Sequence, residues 1–378
     1  MAGRIVIFGA TGYTGEHTAR ALVGHGARPV LAGRSPERLE RLAEELGGLE
    51  TTVADADRPA TVRALVQRGD VLLSTVGPFS RFGEPVVDAA IDAGATYVDS
   101  SGEPAFIRRV FCHHGPRAEH AGVALLTAFG FDWVPGNLAG ALALREAGDR
   151  ASRVEIGYFA EGRVSGGTHA STVRAALEPS FAFRDGRLRA EPPGLRVRTF
   201  TLPGGGRRRA ISVGGSEHFG LPATHPHVRD VDVLLGQGGP HVRAMPLISR
   251  ALGAGLALPG VRRRLLALAD AHRRGSTGGP DAAARDEGGS TVLAIAYADD
   301  KTRLSEVTLK GVDPYTFTFE ILAWAACRLL GESPPPGALA PLQAFRLGLL
   351  REGVRQAGLD RRGTGPRPTK VGITTYSA

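Results

Sequence analysis

The sequence predicts an α/β protein, an N-terminal doubly wound parallel sheet followed by a C-terminal α+β domain with a mostly antiparallel sheet. Three observations predict it. Short β-branched runs alternate with amphipathic helical patterns through the first part of the chain. The first of those strands opens directly onto a glycine-rich turn. Near residue 135 the alternation gives way to strand-like runs with few helices between them. The 378 residues, 42% of them hydrophobic, suffice for two ordinary domains. The expected division is 1–135 and 136–378, with C-terminal helices packing back on the first domain.

The first strand, Ile5 to Phe8, is a buried parallel-strand pattern that breaks into Gly9-Ala10-Thr11-Gly12-Tyr13-Thr14-Gly15 and then a helix. Gly9 permits the tight turn and Gly12 lets backbone approach a pyrophosphate. Gly15 lets the helix pack on the strand, and the helix N-terminus offers free N–H groups to phosphates. The spacing is Gly-x-x-Gly-x-x-Gly. A second strand follows and stops at Gly33-Arg34-Ser35. An NAD-type site would carry an acidic residue here for the ribose 2′-hydroxyl. Arg34 instead offers a bidentate partner for a 2′-phosphate, and Ser35 does not repel it. The expectation is a Rossmann-like domain that binds NADP(H).

Pro36 to Leu46 is a charged amphipathic helix with Ser35 as its N-cap. Thr51 to Asp55 is a third strand, where Asp55 either touches the adenine side of a dinucleotide or caps the next helix. Asp70 to Val76 is a strong fourth strand. In an open α/β sheet the ligand lies beyond the carboxyl ends of the strands. Thr75, Val76, Gly77, Pro78 and Phe79 are therefore expected along the nicotinamide half of the cofactor, with Ser100 at the end of the fifth strand, Thr96 to Asp99. Helices are expected over 83–94 and 104–120, and a sixth strand over 123–127 that ends at Phe129-Gly130-Phe131-Asp132.

The second domain is expected to hold strands near 153–160, 197–202, 209–213, 229–235, 291–297 and 305–310. A glycine- and hydroxyl-rich stretch, Val164 to Thr172, opens a helix. Residues 275–289 have the composition of a mobile loop. Helices are expected at 315–330 and 340–357, joined by a proline linker. The apolar stretch Met245 to Val261 is too short and broken to span a bilayer; a core or interface position is expected in preference to a surface-lying one.

Composition narrows the partners. The net charge is +8, and lysine occurs only at Lys301, Lys310 and Lys370. The arginine clusters are scattered without interleaved aromatics or a nucleic-acid module, so no nucleic-acid partner is expected. Cys112 and Cys327 have no metal or redox spacing, which suits a reducing, cytoplasmic setting, and no signal peptide is expected before the first strand. His113, His114 and His120 share a helix without acidic or cysteine partners, are read as surface residues, and no metal is expected. The sequence leaves open a homodimer and a peripheral membrane contact.

These residues resemble the saccharopine dehydrogenase-like oxidoreductases, and particularly their trans-acting enoyl reductase branch. The resemblance rests on Gly9 to Gly15, Gly33-Arg34, Val76-Gly77-Pro78-Phe79, Tyr97 to Glu103, Gly130 to Pro135 and Ser165 to Ser171. It implies an NADPH-dependent reductase acting on a C=C or C=N bond of a small-molecule, carrier-bound or lipid-like intermediate. Similar proteins carry Ser and Asp where this chain has Trp133 and Asn137, which implies a reshaped substrate pocket. The alternatives are a carbonyl reductase or dehydrogenase of a small metabolite, and a dinucleotide-binding sensor or scaffold without turnover.

Such chemistry asks the protein to orient the acceptor, stabilise developing charge and deliver a proton. Asp132, just past the sixth strand, is a candidate for orienting substrate or relaying a proton, or else caps a turn. His169 is a candidate proton donor, since an unperturbed imidazole titrates near neutrality, or else a structural histidine at the start of a helix. Thr168 or Ser171 is a candidate hydrogen-bond donor to a carbonyl or enolate oxygen, or else caps the helix. The scarcity of lysine excludes the lysine-assisted tyrosine acid of short-chain dehydrogenases.

Overall fold

The structure, a computed structural model, describes residues 3–161, 177–257, 260–271 and 278–361. Ile5–Phe8 (β1) is fully buried and pairs in parallel with Val30–Gly33 (β2) on one side and Val71–Ser74 (β4) on the other. Beyond β2 lies Thr51–Val53 (β3), and beyond β4 lie Thr96–Asp99 (β5) and Ala124–Leu126 (β6). The strand order 6-5-4-1-2-3 reverses between β1 and β4, which opens a crevice at their carboxyl ends. The intervening helices are Tyr13–Gly24 (α1), Pro36–Glu45 (α2), Pro59–Arg63 (α3), Phe79–Ala93 (α4) and Pro104–Arg109 (α5). The last continues through a π turn, Val110–His114, into Gly115–Ala121 (α6), so one helical pattern in the sequence becomes three segments. The doubly wound parallel sheet is as expected.

The chain enters the second sheet through Val134–Ala147 (α7), a helix buried almost all round because it lies between layers. The strands are Arg153–Glu161 (β7), Phe181–Arg184 (β8), Arg187–Ala190 (β9), Val197–Thr201 (β10), Arg207–Ser212 (β11), Asp230–Gln237 (β12), Gly289–Tyr297 (β13) and Arg303–Gly311 (β14). Their order is β10-β11-β12-β7-β13-β14, edged by a short pairing of β14 with Leu359–Asp360. All pairs are antiparallel except β12 with β7. The β8–β9 hairpin, unforeseen in the sequence, hangs from β12.

Two C-terminal elements return to the first sheet. The helix Pro314–Gly331 lies against α1 and across β4, β5 and β1, and Gly337–Ala338 (β15) adds a seventh parallel strand beside β6. The proline linker thus delivers a strand. The expected final helix breaks at Phe345 into Pro341–Ala344 and Leu347–Gln356. The break turns the Phe345 ring into the core against Trp324 and Phe129.

Three further expectations change. The described part of 275–289 carries the helix Ala282–Glu287, capped by Asp281, where a loop was expected. His114 is buried, its Nδ1 3.5 Å from Asp88 Oδ1, because its helix turns that face onto α4. The helix Met245–Ala257 is not core: Leu247, Ile248 and Leu252 are exposed.

The docking of the C-terminal helices depends on Gly353, where a Cβ would stand 2.6 Å from the buried Trp324 ring. Gly353→Ala is expected to destabilise the chain by about 1–3 kcal/mol through overpacking, read from the urea midpoint. An unchanged midpoint would mean that this helix does not bear on Trp324.

Candidate functional site

The glycine turn is built from backbone constraints. Gly9 has φ +94°, which excludes most side chains. Its N–H and that of Ala10 donate to the Ala32 carbonyl, tying the turn to β2. A Cβ at Gly15 would overlap the Gly9 carbonyl, so the helix approaches the strand as closely as backbone permits. Gly12 is the N-cap of α1, and no side chain caps the N–H groups of the first turn. Only the Gly9 carbonyl stands near the Gly12 Cβ direction, at 3.3 Å. An uncapped helix start of this kind fits a pyrophosphate.

Arg34 emerges exposed at the end of β2, with no ion pair or hydrogen bond to the described residues. Ser35 is the N-cap of α2, accepting from the Arg38 N–H and donating to Glu37. Arg38, which the sequence reading passed over, donates through Nη2 to the Thr11 carbonyl at 2.6 Å. The Arg38 guanidinium therefore borders the glycine turn, and the backbone just before Arg34 lies beside it, the Gly33 Cβ direction being 3.7 Å from Thr11 Oγ1. Asp55 serves its own turn, its carboxylate accepting from the Asp57 N–H.

Tyr13 departs from a simple cofactor role. Its hydroxyl donates to the Pro280 carbonyl at 2.5 Å and accepts from Arg285 Nη1, and its ring sits edge-on to His17, Tyr315 and Phe319. The side chain thus belongs to a contact with residues 279–285, while its N–H stays at the helix start.

On the other bank, Thr75 Oγ1 donates to the Phe8 and Gly9 carbonyls, and Val76, Gly77 and Pro78 lead into α4. That helix begins at Phe79, four residues before the sequence suggested. The buried Glu103 carboxylate accepts from the N–H groups of Phe79 and Ser80 at 2.8 and 2.9 Å and so caps it from outside the helix. Asp99, also buried, accepts from Ser101 and Ala128 N–H groups and joins the ends of β5 and β6. Burial lifts its carboxyl to about 6 against the pull of those donors. Ser100 lies beside Gly130 in the same crevice.

Asp132 is partly exposed and stands over Gly102, whose Cβ direction is 3.1 Å from Asp132 Oδ2. Desolvation raises its carboxyl to about 6. Thr168, His169 and Ser171 lie outside the described residues. Behind Asp132 is a polar cluster that the sequence reading missed. Tyr158, from β7, donates to Glu217 Oε1 at 2.5 Å and accepts from the Gly136 N–H at 2.8 Å. Glu217 is fully buried; burial carries its carboxyl to about 8, and Asp132 adds to the rise. Its Oε2 has no hydrogen-bond partner among the described residues. Trp133 and Asn137 are both buried: Trp133 packs edge-on to Tyr158, and Asn137 Nδ2 donates to the Trp133 carbonyl and Ser216. The indole expected to reshape an open pocket is instead core. Tyr97 is core as expected. Among the described residues, no cluster of His, Cys, Asp and Glu could hold a metal ion.

The family model described as the saccharopine dehydrogenase NADP binding domain matches residues 5–126. A trans-acting enoyl reductase from Mycobacterium ulcerans is 35% identical over 195 residues, covering 48% of this chain and 47% of that protein. A second, from Mycobacterium leprae, is 38% identical over 188 residues, covering 47% and 45%. The chain thus matches about half the length of these curated relatives. Apo saccharopine dehydrogenase (L-Glu forming) from Saccharomyces cerevisiae superposes with a TM-score of 0.57 over 95% of this chain and 99% of that one; at 13% identity this shows the shared fold. The N-terminal domain is an NADP-binding domain, and the residues at its crevice fit that cofactor.

Glu217 makes stability depend on pH. Its folded pKa lies above the ordinary 4.5, so between there and about 8 the folded chain keeps a proton that the unfolded chain has released. Stability therefore falls as pH rises through that window. Asp99 and Asp132 act in the same direction but only up to about 6. Glu217→Gln keeps a partner for Tyr158 without the titration. Its urea stability is expected to decline less than that of the wild type between about pH 6 and 8; parallel profiles would show that Glu217 holds no proton there.

Proposed function

From an N-terminal domain of the saccharopine dehydrogenase NADP-binding kind, we infer that the chain is an NADPH-dependent reductase. It acts on a C=C or C=N bond of a small-molecule, carrier-bound or lipid-like intermediate. The observation that carries the reading is one sheet edge that gathers an uncapped helix start, Arg38 on the glycine turn, the exposed Arg34 at the end of β2 and a partly exposed carboxyl of raised pKa. The names of the relatives support the C=C choice.

The nicotinamide supplies the hydride when the cofactor is bound. The work of the chain is the rest. The N–H groups after Gly12 bind the pyrophosphate, and Arg34 holds the 2′-phosphate with Arg38 beside it. Ser100 and the segment from Thr75 to Phe79 bound the nicotinamide side, with Glu103 keeping that segment in place. Asp132 is the proposed group for orienting the acceptor or relaying a proton. Glu217 retains its proton at neutral pH, because burial and the negative charge of Asp132 both disfavour its ionised form, while Asp132 is raised by its own desolvation. Thr168 and His169 enter the proposal from the sequence alone, as hydrogen-bond donor and proton donor.

Titration of NADPH against NADH, on wild type and Arg34→Ala, tests the cofactor part. Loss of the bidentate contact is expected to weaken NADPH binding about ten- to a hundredfold and leave NADH unchanged. Equal losses for both nucleotides would remove Arg34 from the 2′-phosphate site. NADPH oxidation with enoyl thioesters, imines and small carbonyl compounds then tests the acceptor. Asp132→Asn is expected to lower kcat while NADPH affinity holds; unaltered turnover would exclude Asp132, and binding without any turnover would favour a sensor.

A further inference from the structure

The helix Met245–Ala257 is held by one face. Ser249 Oγ donates to the Pro193 carbonyl at 2.8 Å, the Met245 side chain reaches Gly194, and Gly253 lies against Pro192. Residues 245, 249 and 253 are successive turns of one stripe. Leu247 points away from that stripe, Ile248 lies on its flank and Leu252 at its edge; the three are 69%, 47% and 37% exposed. Three large aliphatic groups exposed within two turns of one helix mark an interaction surface, whereas scattered single ones do not.

The charge around that face is one-sided. No aspartate or glutamate occurs between Asp232 and Asp270, while Arg243, Arg250, Arg262, Arg263 and Arg264 fall in that interval and are exposed. Arg243 stands one turn before Leu247. It also lines a cavity of about 410 Å³ with Arg207, Arg208, Arg209, Thr199 and Gln237. Arg208 reaches the exposed Glu161 at 3.7 Å; Arg207, Arg209 and Arg243 have no ion pair with the described residues.

We propose that this helix and its arginines form a docking surface for an anionic lipid bilayer, on which the protein lies peripherally. The aliphatic side chains enter the acyl boundary and the arginines meet headgroup phosphates, the cavity beside Arg243 taking one of them. A lipid surface suits the patch better than a protein does. Between residues 242 and 266 there is no aromatic side chain of the sort that anchors protein interfaces. Aliphatic groups on a convex helix need no shaped counterpart in lipid. No helix among the described residues is long and apolar enough to cross a membrane, so the contact is on the surface.

The full-length protein is sedimented with phosphatidylcholine vesicles, with and without phosphatidylglycerol. Binding is expected only with the anionic lipid and should weaken as salt rises. The combined change Leu247→Ser, Ile248→Ser and Leu252→Ser is expected to abolish it while circular dichroism and NADPH binding stay unchanged. Arg243→Ala and Arg262→Ala should each lower partitioning about fivefold. The proposal is overturned by equal binding to both vesicles, by no binding to either, or by variants that bind as wild type does. Retention by polyglutamate in place of vesicles would assign the surface to an acidic protein. A wild-type dimer that the triple variant makes monomeric, without vesicle binding, would assign it to a second copy of the chain. The readout uses neither nucleotide nor turnover, so its failure and failure of the reductase reading are separate results.

Discussion

The segment from Asp99 to Glu103 carries two buried carboxylates on which the geometry of the crevice depends. Asp99 receives N–H groups from its own turn and from Ala128, and Glu103 receives those of Phe79 and Ser80. One short loop therefore fixes the exits of β4, β5 and β6 relative to one another. Backbone N–H groups at a buried turn must find acceptors, and a carboxylate serves two donors at once. The loops that border the nicotinamide side are held by this pair, whereas the pyrophosphate side is held by backbone contacts among Gly9, Gly12, Gly15 and Ala32.

The parallel sheet and its crevice were legible because their causes are local. A buried strand, a glycine turn and an amphipathic helix lie within twenty-odd residues of one another, and the strand ends mark the ligand edge whatever the rest of the chain does. The start of α4 was not legible, because its cap comes from Glu103, remote in sequence, and Gly77-Pro78 reads as a loop. Arg38 was overlooked because a charged helix surface gives no sign that one residue reaches back to Thr11. The break at Phe345 was hidden for a similar reason: the sequence pattern continues through it, and the burial of one ring outweighs the lost helical turn.

The buried cluster behind Asp132 shows the same limit more sharply. Tyr158 and Glu217 stand on different elements, 59 residues apart, and each alone looks ordinary: a tyrosine in a strand, a glutamate opening a helix. Only the packing of α7 between the sheets brings them under the Asp132 turn. Trp133 and Asn137 were noticed as departures from related sequences, and their surroundings give the reason. Both fill space between α7, β7 and the helix Glu217–Thr224, with Asn137 bonded to Ser216, so they answer to second-domain residues with which they pack.

The two parts of the chain are joined by more than α7. Tyr13 sits in the glycine turn but spends its hydroxyl on Pro280 and Arg285, and its ring on Tyr315 and Phe319. Gly279 has no room for a Cβ because the Tyr13 ring occupies that space. The helix start proposed to receive pyrophosphate is thus braced by a segment that enters the second sheet at Gly289 a few residues later. The brace touches the side chain and leaves the N–H groups free, which is the division such a position requires. A side chain can be committed to structure while its backbone stays available to a ligand, because hydrogen bonding at the N–H and at the phenol hydroxyl are independent. The glycine turn is in this sense a joint between the two sheets as well as the proposed phosphate cradle, and its shape is set from both sides.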